Sequence, residues 1–310
     1  MKILFIGLGS IGRRHAKILQ KIYKHDLYAF RSGLSKKKNE LGIKEIKTWK
    51  DIENLKPDIA FITNPTSLHI ETASKCVKLG CKLFIEKPIS KDLKGLDLLI
   101  KLVKKKKIVT YVGYNLRFHP VIKELKKYTA KQKPIYARAV CTSFLPNWRP
   151  GTDFKKNYSA NSAMGGGVIL DLSHEIDYVK YLLGNITDIK GNFAKAGDVT
   201  LDTEDFADLL VKTKDCRTNI HINFLSHIPQ RYIQLEFGSF TIFGDIINSE
   251  ILIYQNGKLK QRHKLDYYQG QDYEDQLKYF FKNLDNLSMM NNLVEASGLF
   301  KKIIAFKKNA

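Results

Sequence analysis

No stretch of this 310-residue chain is apolar for long enough to span a membrane. Its first residues read as a core strand, without the h-region or cleavage site of a signal peptide, so a cytoplasmic location is expected. Cysteine is scarce. Cys76, Cys81, Cys141 and Cys216 lack a metal-ligand spacing. The one close pair, Cys76 and Cys81, straddles a predicted helix end and strand start, where packing explains it. Reduced thiols suit this distribution. A zinc helix is excluded too, because His174-Glu175-Ile176-Asp177 has no second histidine. Internal repeats, low-complexity segments and nucleic-acid-binding motifs are missing. Arginine is rare: it supplies nine of the 52 basic residues, and the lysines are spread along the chain. The net charge of +21 therefore reads as a lysine-rich surface that attracts anionic cofactors and substrates. Neither a specific nucleic acid nor a membrane is expected as a partner. The densest run, Lys104 to Lys107, ends a predicted helix, where cations complement the dipole.

What is present is organised around the first thirteen residues. Lys2-Ile3-Leu4-Phe5-Ile6 is a short β-rich run, and Gly7-Leu8-Gly9-Ser10-Ile11-Gly12 follows at once. A helical pattern comes next, with Ile11, His15, Ile18, Leu19 and Ile22 at spacings of three and four. Strand, G-x-G-x-x-G and helix in that order make a dinucleotide-binding turn. Gly7 permits the turn, Gly9 lets a pyrophosphate approach the backbone, and Gly12 permits close helix packing. Ser10 and Ile11 begin the helix, whose unpaired amides and dipole favour phosphate.

The first third then alternates strand and helix, with strands expected at 27–30, 43–49, 58–63, 82–85 and 108–112 and helices at 68–79 and 92–104. Asp51 is expected to cap a small helix. Repeated βα units of this length imply a doubly wound parallel sheet. The exit of the second strand bears on the cofactor. An acidic residue there would accept the ribose hydroxyls of NAD. Arg31 and Ser32 stand there instead, with Lys36, Lys37 and Lys38 beyond, which favours NADP(H). The alternative is that Arg31 stacks on adenine and NAD(H) binds as well.

Ligands of such sheets bind outside the carboxyl ends of the strands. Asn64 and Pro65, Glu86 and Lys87, and Tyr114 and Asn115 occupy those ends, and His69 follows in the next helix. Asn64, Pro65, His69, Glu86 and Lys87 are the expected cofactor contacts beyond the glycine turn. Lys87 is the sharpest candidate for binding or protonating a substrate oxygen during hydride transfer. The plain alternative is a lysine that pairs with Glu86.

From Gly113 the character changes. A helix is expected over 121–128, a strand over 135–144, and a long irregular loop over 145–167 that contains Trp148, Arg149, Tyr158 and three consecutive glycines. Loops of this length and composition are usually functional. A helix is expected over 168–183, with Asp171 and His174 three apart on one face, so that the carboxylate could orient the imidazole as a general base. Metal binding by this pair would need a third ligand that the sequence does not supply, and a lone helical histidine can also be structural. Seven β segments follow, over 186–194, 206–213, 218–226, 232–237, 239–243, 251–254 and 259–265, with hairpin turns between some of them. Two helices, 273–287 and 293–307, close the chain.

These pieces together resemble the glucose–fructose oxidoreductase/inositol dehydrogenase/MocA (Gfo/Idh/MocA) family. The resemblance rests on the glycine turn, Glu86-Lys87-Pro88, Gly113-Tyr114-Asn115-Leu116-Arg117-Phe118, and Gly165 to His174. It implies an α/β protein: an N-terminal Rossmann domain over 1–118 and a C-terminal α/β domain with an open, mostly antiparallel sheet over 119–310, the last helix packing back on the first domain in one arrangement. It also implies an NAD(P)-dependent dehydrogenase of sugars or cyclitols, and a homodimer or homotetramer. Lys87 matches the family's catalytic lysine, His174 its acid/base histidine and Asp171 the assisting carboxylate. Many members place that histidine four residues after the aspartate, and here the spacing is three. Tyr114, Asn115, Arg117, Trp148, Arg149 and Tyr158 are the expected substrate contacts, and Arg117, His119 and Arg149 would suit an anionic sugar. The loop also resembles a bacterial subgroup of surface-sugar biosynthesis. Relatives that act as NAD-dependent glycosidases, or as regulators without chemistry, remain alternatives on the same scaffold.

Overall fold

In a computed structural model of the chain, residues 1–31, 39–148, 151, 153–156, 158–197 and 201–309 are described. The chain begins with β1 (Lys2–Ile6), α1 (Ser10–Ile22), β2 (Asp26–Phe30), β3 (Lys44–Ile46) and α2 (Trp49–Leu55). Next come β4 (Ile59–Ile62), α3 (His69–Lys78), β5 (Lys82–Ile85), α4 (Leu96–Lys106) and β6 (Thr110–Val112). Then follow α5 (Pro120–Lys131), β7 (Tyr136–Phe144), α6 (Val168–Asp171) and α7 (His174–Leu183). Strands β8 (Asp188–Ala194), β9 (Phe206–Lys212), β10 (Arg217–Asn223) and β11 (Leu225–Glu236) succeed them. The chain ends with β12 (Thr241–Asp245), β13 (Glu250–Gln255), β14 (Lys258–Lys264), α8 (Gln271–Lys282) and α9 (Leu293–Asn309).

Two compact units result. The first comprises 1–113 and 273–300, the second 114–272 and 301–310. The first holds a six-stranded parallel sheet in the order β3-β2-β1-β4-β5-β6. Strands β1, β4 and β5 are almost unbroken apolar runs because both faces of a parallel sheet are covered. Phe5, Phe61 and Phe84 line up across these three strands at 4.9 and 4.7 Å between ring centroids. Phe280 of α8 meets Phe61 and Phe84 edge-on, a favoured arrangement of ring quadrupoles. The edge strand β6 is closed by Asn291. Val112 donates its amide to the Asn291 carbonyl at 3.0 Å, and Asn291 Nδ2 donates to the Val112 carbonyl at 2.6 Å. Those contacts go with the grouping of 273–300 in the first unit, whereas the sequence reading counts 119–310 as the C-terminal domain and lets only the last helix pack back on the first.

The second unit holds an eight-stranded sheet in the order β14-β13-β12-β11-β7-β10-β9-β8, antiparallel except where β10 runs parallel to β7. The strand expected over 218–226 stops earlier. Asn223 Oδ1 accepts the amides of Leu225 and Ser226 at 3.0 and 3.1 Å, which turns the chain and starts β11. Capping also differs in detail at α2: Thr48 is the N-cap, and Asp51 completes the capping box from the third helical position. All four cysteines are buried free thiols. No helix among the described residues is long and apolar enough to cross a membrane.

Candidate functional site

The expected residues fall into two constellations, one in each unit. In the first, the glycine turn leaves the carboxyl end of β1. Gly7 has φ +94°, and a Cβ there would lie 2.8 Å from the backbone of Asn64. A Cβ on Gly12 would lie 2.5 Å from the Gly7 carbonyl and 2.9 Å from Thr63 Oγ1. Gly12 thus lets α1 start tight against the turn itself. Thr63 locks the same turn by donating its hydroxyl to the Gly7 carbonyl at 2.6 Å. Gly9 is different. It is exposed, it caps α1 without a side-chain hydrogen bond, and a Cβ there would have no atom within 4 Å. An open backbone at a helix start is what an anionic ligand requires. Ser10 is exposed beside it, and Ile11 is half-buried. The residues present therefore fit a dinucleotide pyrophosphate.

Arg31 lies at the exit of β2, where its guanidinium donates to Glu45 Oε1 at 2.6 Å. The carboxylate absent from the exit of β2 is thus supplied by the neighbouring strand. Ser32 and Lys36 to Lys38 lie outside the described residues.

Asn64 is half-buried and Pro65 exposed at the end of β4. His69 was expected to touch the cofactor, but it is buried. Its ring nitrogens approach the Asn64 carbonyl at 2.9 Å and the Pro88 carbonyl at 3.1 Å. It staples the turns after β4 and β5, and burial holds its pKa below the usual range. Glu86 is buried too. Its Oε1 lies 2.5 Å from His15 Nε2, and its Oε2 accepts the Lys87 amide at 3.3 Å. Lys87 is half-buried and precedes a cis peptide bond to Pro88.

The second constellation is built on the triple glycine. Gly165 and Gly167 take φ +91° and +106°. Gly166 presses on the backbone of Tyr158, Ser159 and Asn161, where a Cβ could not fit. That close approach carries Tyr158 to Asp171, and the Tyr158 hydroxyl donates to Asp171 Oδ1. The helix expected over 168–183 is broken. Leu172, with ψ +28°, ends α6, and α7 begins at His174. Asp171 and His174 therefore sit on two successive helices, and their three-residue spacing no longer defines one helical face. The Tyr114 ring meets His174 edge-on at 5.5 Å, and its hydroxyl donates to Ser173 Oγ at 3.4 Å. Burial pushes that phenol far up, so it stays a donor.

Several expected substrate contacts have internal tasks. Arg117 is buried and bidentate to Asp177, with Nε to Oδ2 at 2.8 Å and Nη2 to Oδ1 at 2.7 Å. Its guanidinium also lies 5.2 Å from the centroid of the Tyr181 ring. Asn115 is buried and donates to Asp272. His119 is buried as the N-cap of α5, its Nδ1 accepting the Val121 amide at 3.3 Å. Trp148 is partly exposed and donates to Ser143 Oγ at 2.8 Å. Arg149 lies outside the described residues.

Two polar partners escaped sequence reasoning. His15 occupies the apolar stripe of α1, so its pattern reads as core. Glu175 lies on α7 and reaches Arg231 of β11 at 2.8 Å, a pairing across 56 residues without a local signal. No group of three or more potential metal ligands occurs among the described residues.

Two family models match the chain. One, described as an oxidoreductase family with an NAD-binding Rossmann fold, spans residues 1–114. The other, described as the GFO/IDH/MocA C-terminal domain, spans residues 134–245. The myo-inositol 2-dehydrogenase of Thermotoga maritima is 31% identical over 216 residues, covering 66% of this chain and 60% of its own length. The scyllo-inositol 2-dehydrogenase (NAD(+)) of Bacillus subtilis is 28% identical over 202 residues, covering 60% of this chain and 55% of its own. The matches thus span 60% or less of these relatives. Among solved structures, a levoglucosan dehydrogenase in complex with NADH and levoglucosan superposes with a TM-score of 0.86 at 15% identity, covering 100% of this chain and 97% of that one. UDP-N-acetylglucosamine 3-dehydrogenase from Acidithiobacillus ferrooxidans gives 0.82 at 19% identity, covering 99% and 97%. At such identities these structures establish the fold alone.

Proposed function

The chain belongs to the Gfo/Idh/MocA family of oxidoreductases, and on that premise we propose that it moves a hydride between a nicotinamide dinucleotide and a secondary carbinol of a sugar, cyclitol or sugar derivative. One observation carries the reading. Lys87 leaves β5 at the same end of the sheet as the glycine turn leaves β1, with only β4 between the two strands. That end is where doubly wound sheets bind their ligands. The names of the relatives, dehydrogenases of inositols and levoglucosan, support the substrate class.

In this reading Gly7, Gly9, Ser10, Ile11 and Gly12 hold the pyrophosphate. A bound nicotinamide supplies the hydride acceptor or donor. The Lys87 ammonium binds the reacting oxygen and stabilises the negative charge that grows on it. His174 takes the hydroxyl proton in oxidation and returns it in reduction, and Asp171, held by Tyr158, assists it.

The preference for NADP(H) rests on Arg31. Glu45 offsets part of that charge, so discrimination between the two dinucleotides is expected to stay within about tenfold, or ~1.4 kcal/mol. A cytoplasmic homodimer or homotetramer is part of the proposal, with light scattering as its test. So is a place in bacterial surface-sugar biosynthesis.

The direct test is a spectrophotometric screen of NAD and NADP against inositols and neutral, uronic, amino and nonulosonic sugars. Turnover of at least one polyol is expected, with acidic or amino sugars preferred if the surface-sugar role holds. Lys87→Ala should abolish that turnover while dinucleotide binding, followed by fluorescence, persists. Wild-type turnover in this variant would remove Lys87 from the mechanism.

A further inference from the structure

The turn that carries Asp171 is too short to hold itself. Helix α6 has four residues, Val168–Asp171, and a single hydrogen-bonded turn does not form alone in water. Its first amides are met from the segment just before β9. Val168 donates to the Glu204 backbone carbonyl at 3.1 Å, and Ile169 donates to Glu204 Oε1 at 3.3 Å. Gly167 makes the second contact possible, because a Cβ there would lie 2.5 Å from the same oxygen and 2.7 Å from the other. The carboxylate thus fills the space that a side chain at 167 would take, beside a helix start that favours negative charge. Asp202 holds the other side of the triple glycine. Its Oδ1 accepts the Ser162 amide at 2.7 Å and its Oδ2 the Ser162 hydroxyl at 3.1 Å.

The Glu204 side chain is 9% exposed, and Lys307 of α9 meets its Oε1 at 2.6 Å. A buried carboxylate without a cation is costly, so Lys307 keeps it in place rather than turned toward water. The link to Asp171 is one hydrogen bond long: the Asp171 amide donates to the Gly167 carbonyl at 3.0 Å. We propose that Glu204 is a positioning residue, which fixes where α6 begins and so where Asp171 meets the Tyr158 hydroxyl, and that Lys307 keeps the carboxylate seated. The inference rests on the reading of Asp171 as the carboxylate that assists His174. Glu204 acts only through α6, so its loss should lower kcat and leave dinucleotide binding alone.

The first readout needs no ligand. Amide hydrogen exchange, followed by peptide mass spectrometry, reports the opening of 165–174 against the rest of the chain. Glu204→Ala should speed exchange there about tenfold, while peptides of the parallel sheet stay within about twofold. Glu204→Gln keeps an oxygen that can accept the Ile169 amide and should stay within about threefold of wild type. Lys307→Met should speed the same peptides about fivefold, and the effect should vanish when Glu204→Gln removes the charge that Lys307 serves, the signature of coupled residues. For the polyol turned over in the screen, Glu204→Ala should lower kcat about tenfold, with NADH affinity by fluorescence within about twofold. If alanine unfolds the protein, Lys307→Met, alone and with Glu204→Gln, carries the test. Unchanged exchange over 165–174 or an unchanged kcat in Glu204→Ala overturns the inference, as does a Lys307→Met effect that survives Glu204→Gln. Asp171→Asn run alongside separates the two readings. If it keeps wild-type turnover, the role of Asp171 fails. If it is inactive and Glu204→Ala leaves exchange or kcat unchanged, only the positioning role fails.

Discussion

Arg117 provides the sharpest contrast between a substrate contact and a structural one. Its guanidinium makes two hydrogen bonds to Asp177, and the paired side chains are 1% and 3% exposed. Arg117→Met keeps the packing volume of the stem but deletes the charge. It leaves Asp177 ionised, buried and without its fork of donors. Removing one partner of such a pair costs about 3–5 kcal/mol. For a unit of this size each kcal/mol lowers Tm by roughly 2–4 °C, so the loss should be about 6–20 °C, read by calorimetry or circular dichroism. Asp177→Leu added to Arg117→Met should recover much of it, because two apolar groups of matching size leave no buried charge. The KM for substrate, measured well below the lowered Tm, should move less than about threefold in either variant. The reasoning would be refuted by an unchanged Tm together with a large rise in KM, since that combination means the guanidinium serves the substrate and the pairing is incidental.

The two later glycines of the first turn should behave oppositely. Gly9→Ala projects into open space, so Tm should hold while NADH affinity falls at least tenfold by fluorescence titration, whereas Gly12→Ala meets the Gly7 carbonyl and should lower Tm. Gly113→Ala would push on Glu86 Oε1 and on the Phe84 ring, a strain of about 1–3 kcal/mol that chemical denaturation would detect. Glu45→Gln removes the charge that offsets Arg31 and should raise the ratio of NADP to NAD affinity severalfold, and a fall in that ratio would contradict the placement of the 2′-phosphate. His119 is held down to about 4 by burial, with Arg231 lowering it further and Asp272 opposing. Its folded pKa lies below the unfolded value, so the unfolded chain takes up the proton first. Stability should therefore be complete above about pH 6.5 and fall by about 3 kcal/mol as the pH drops toward 4, a slope that urea titrations at stepped pH would show weakened in His119→Asn.

Much of the first unit is legible without coordinates because its signals are local. A buried parallel strand is an apolar run, a helix is a periodic stripe, and the glycine turn between them has a fixed spacing. Lys87 could be picked out because strand ends are where such sheets bind ligands, so placing the strand places the residue. The second half is less legible. The break between Asp171 and His174 leaves no mark on the periodicity, since Leu172 and Ser173 suit a helix as well as a bend. Tyr158 reads as a loop aromatic until the triple glycine presses its backbone against the start of α6 and its hydroxyl reaches Asp171.

The chain alone thus determined the class of fold, the dinucleotide-binding turn and the short list of chemical groups, because each depends on neighbours a few residues away. Only the tertiary structure decided what those groups do to one another. Glu45 tempers Arg31 from the adjacent strand, Asp177 claims Arg117 across 60 residues, and His15 meets Glu86 across 71. A charge acts through space, and the partner that neutralises or frees it is set by how strands and helices pack. The glycine turn could be read in one dimension, whereas the pairing beside Lys87 exists only once β5 lies under α1.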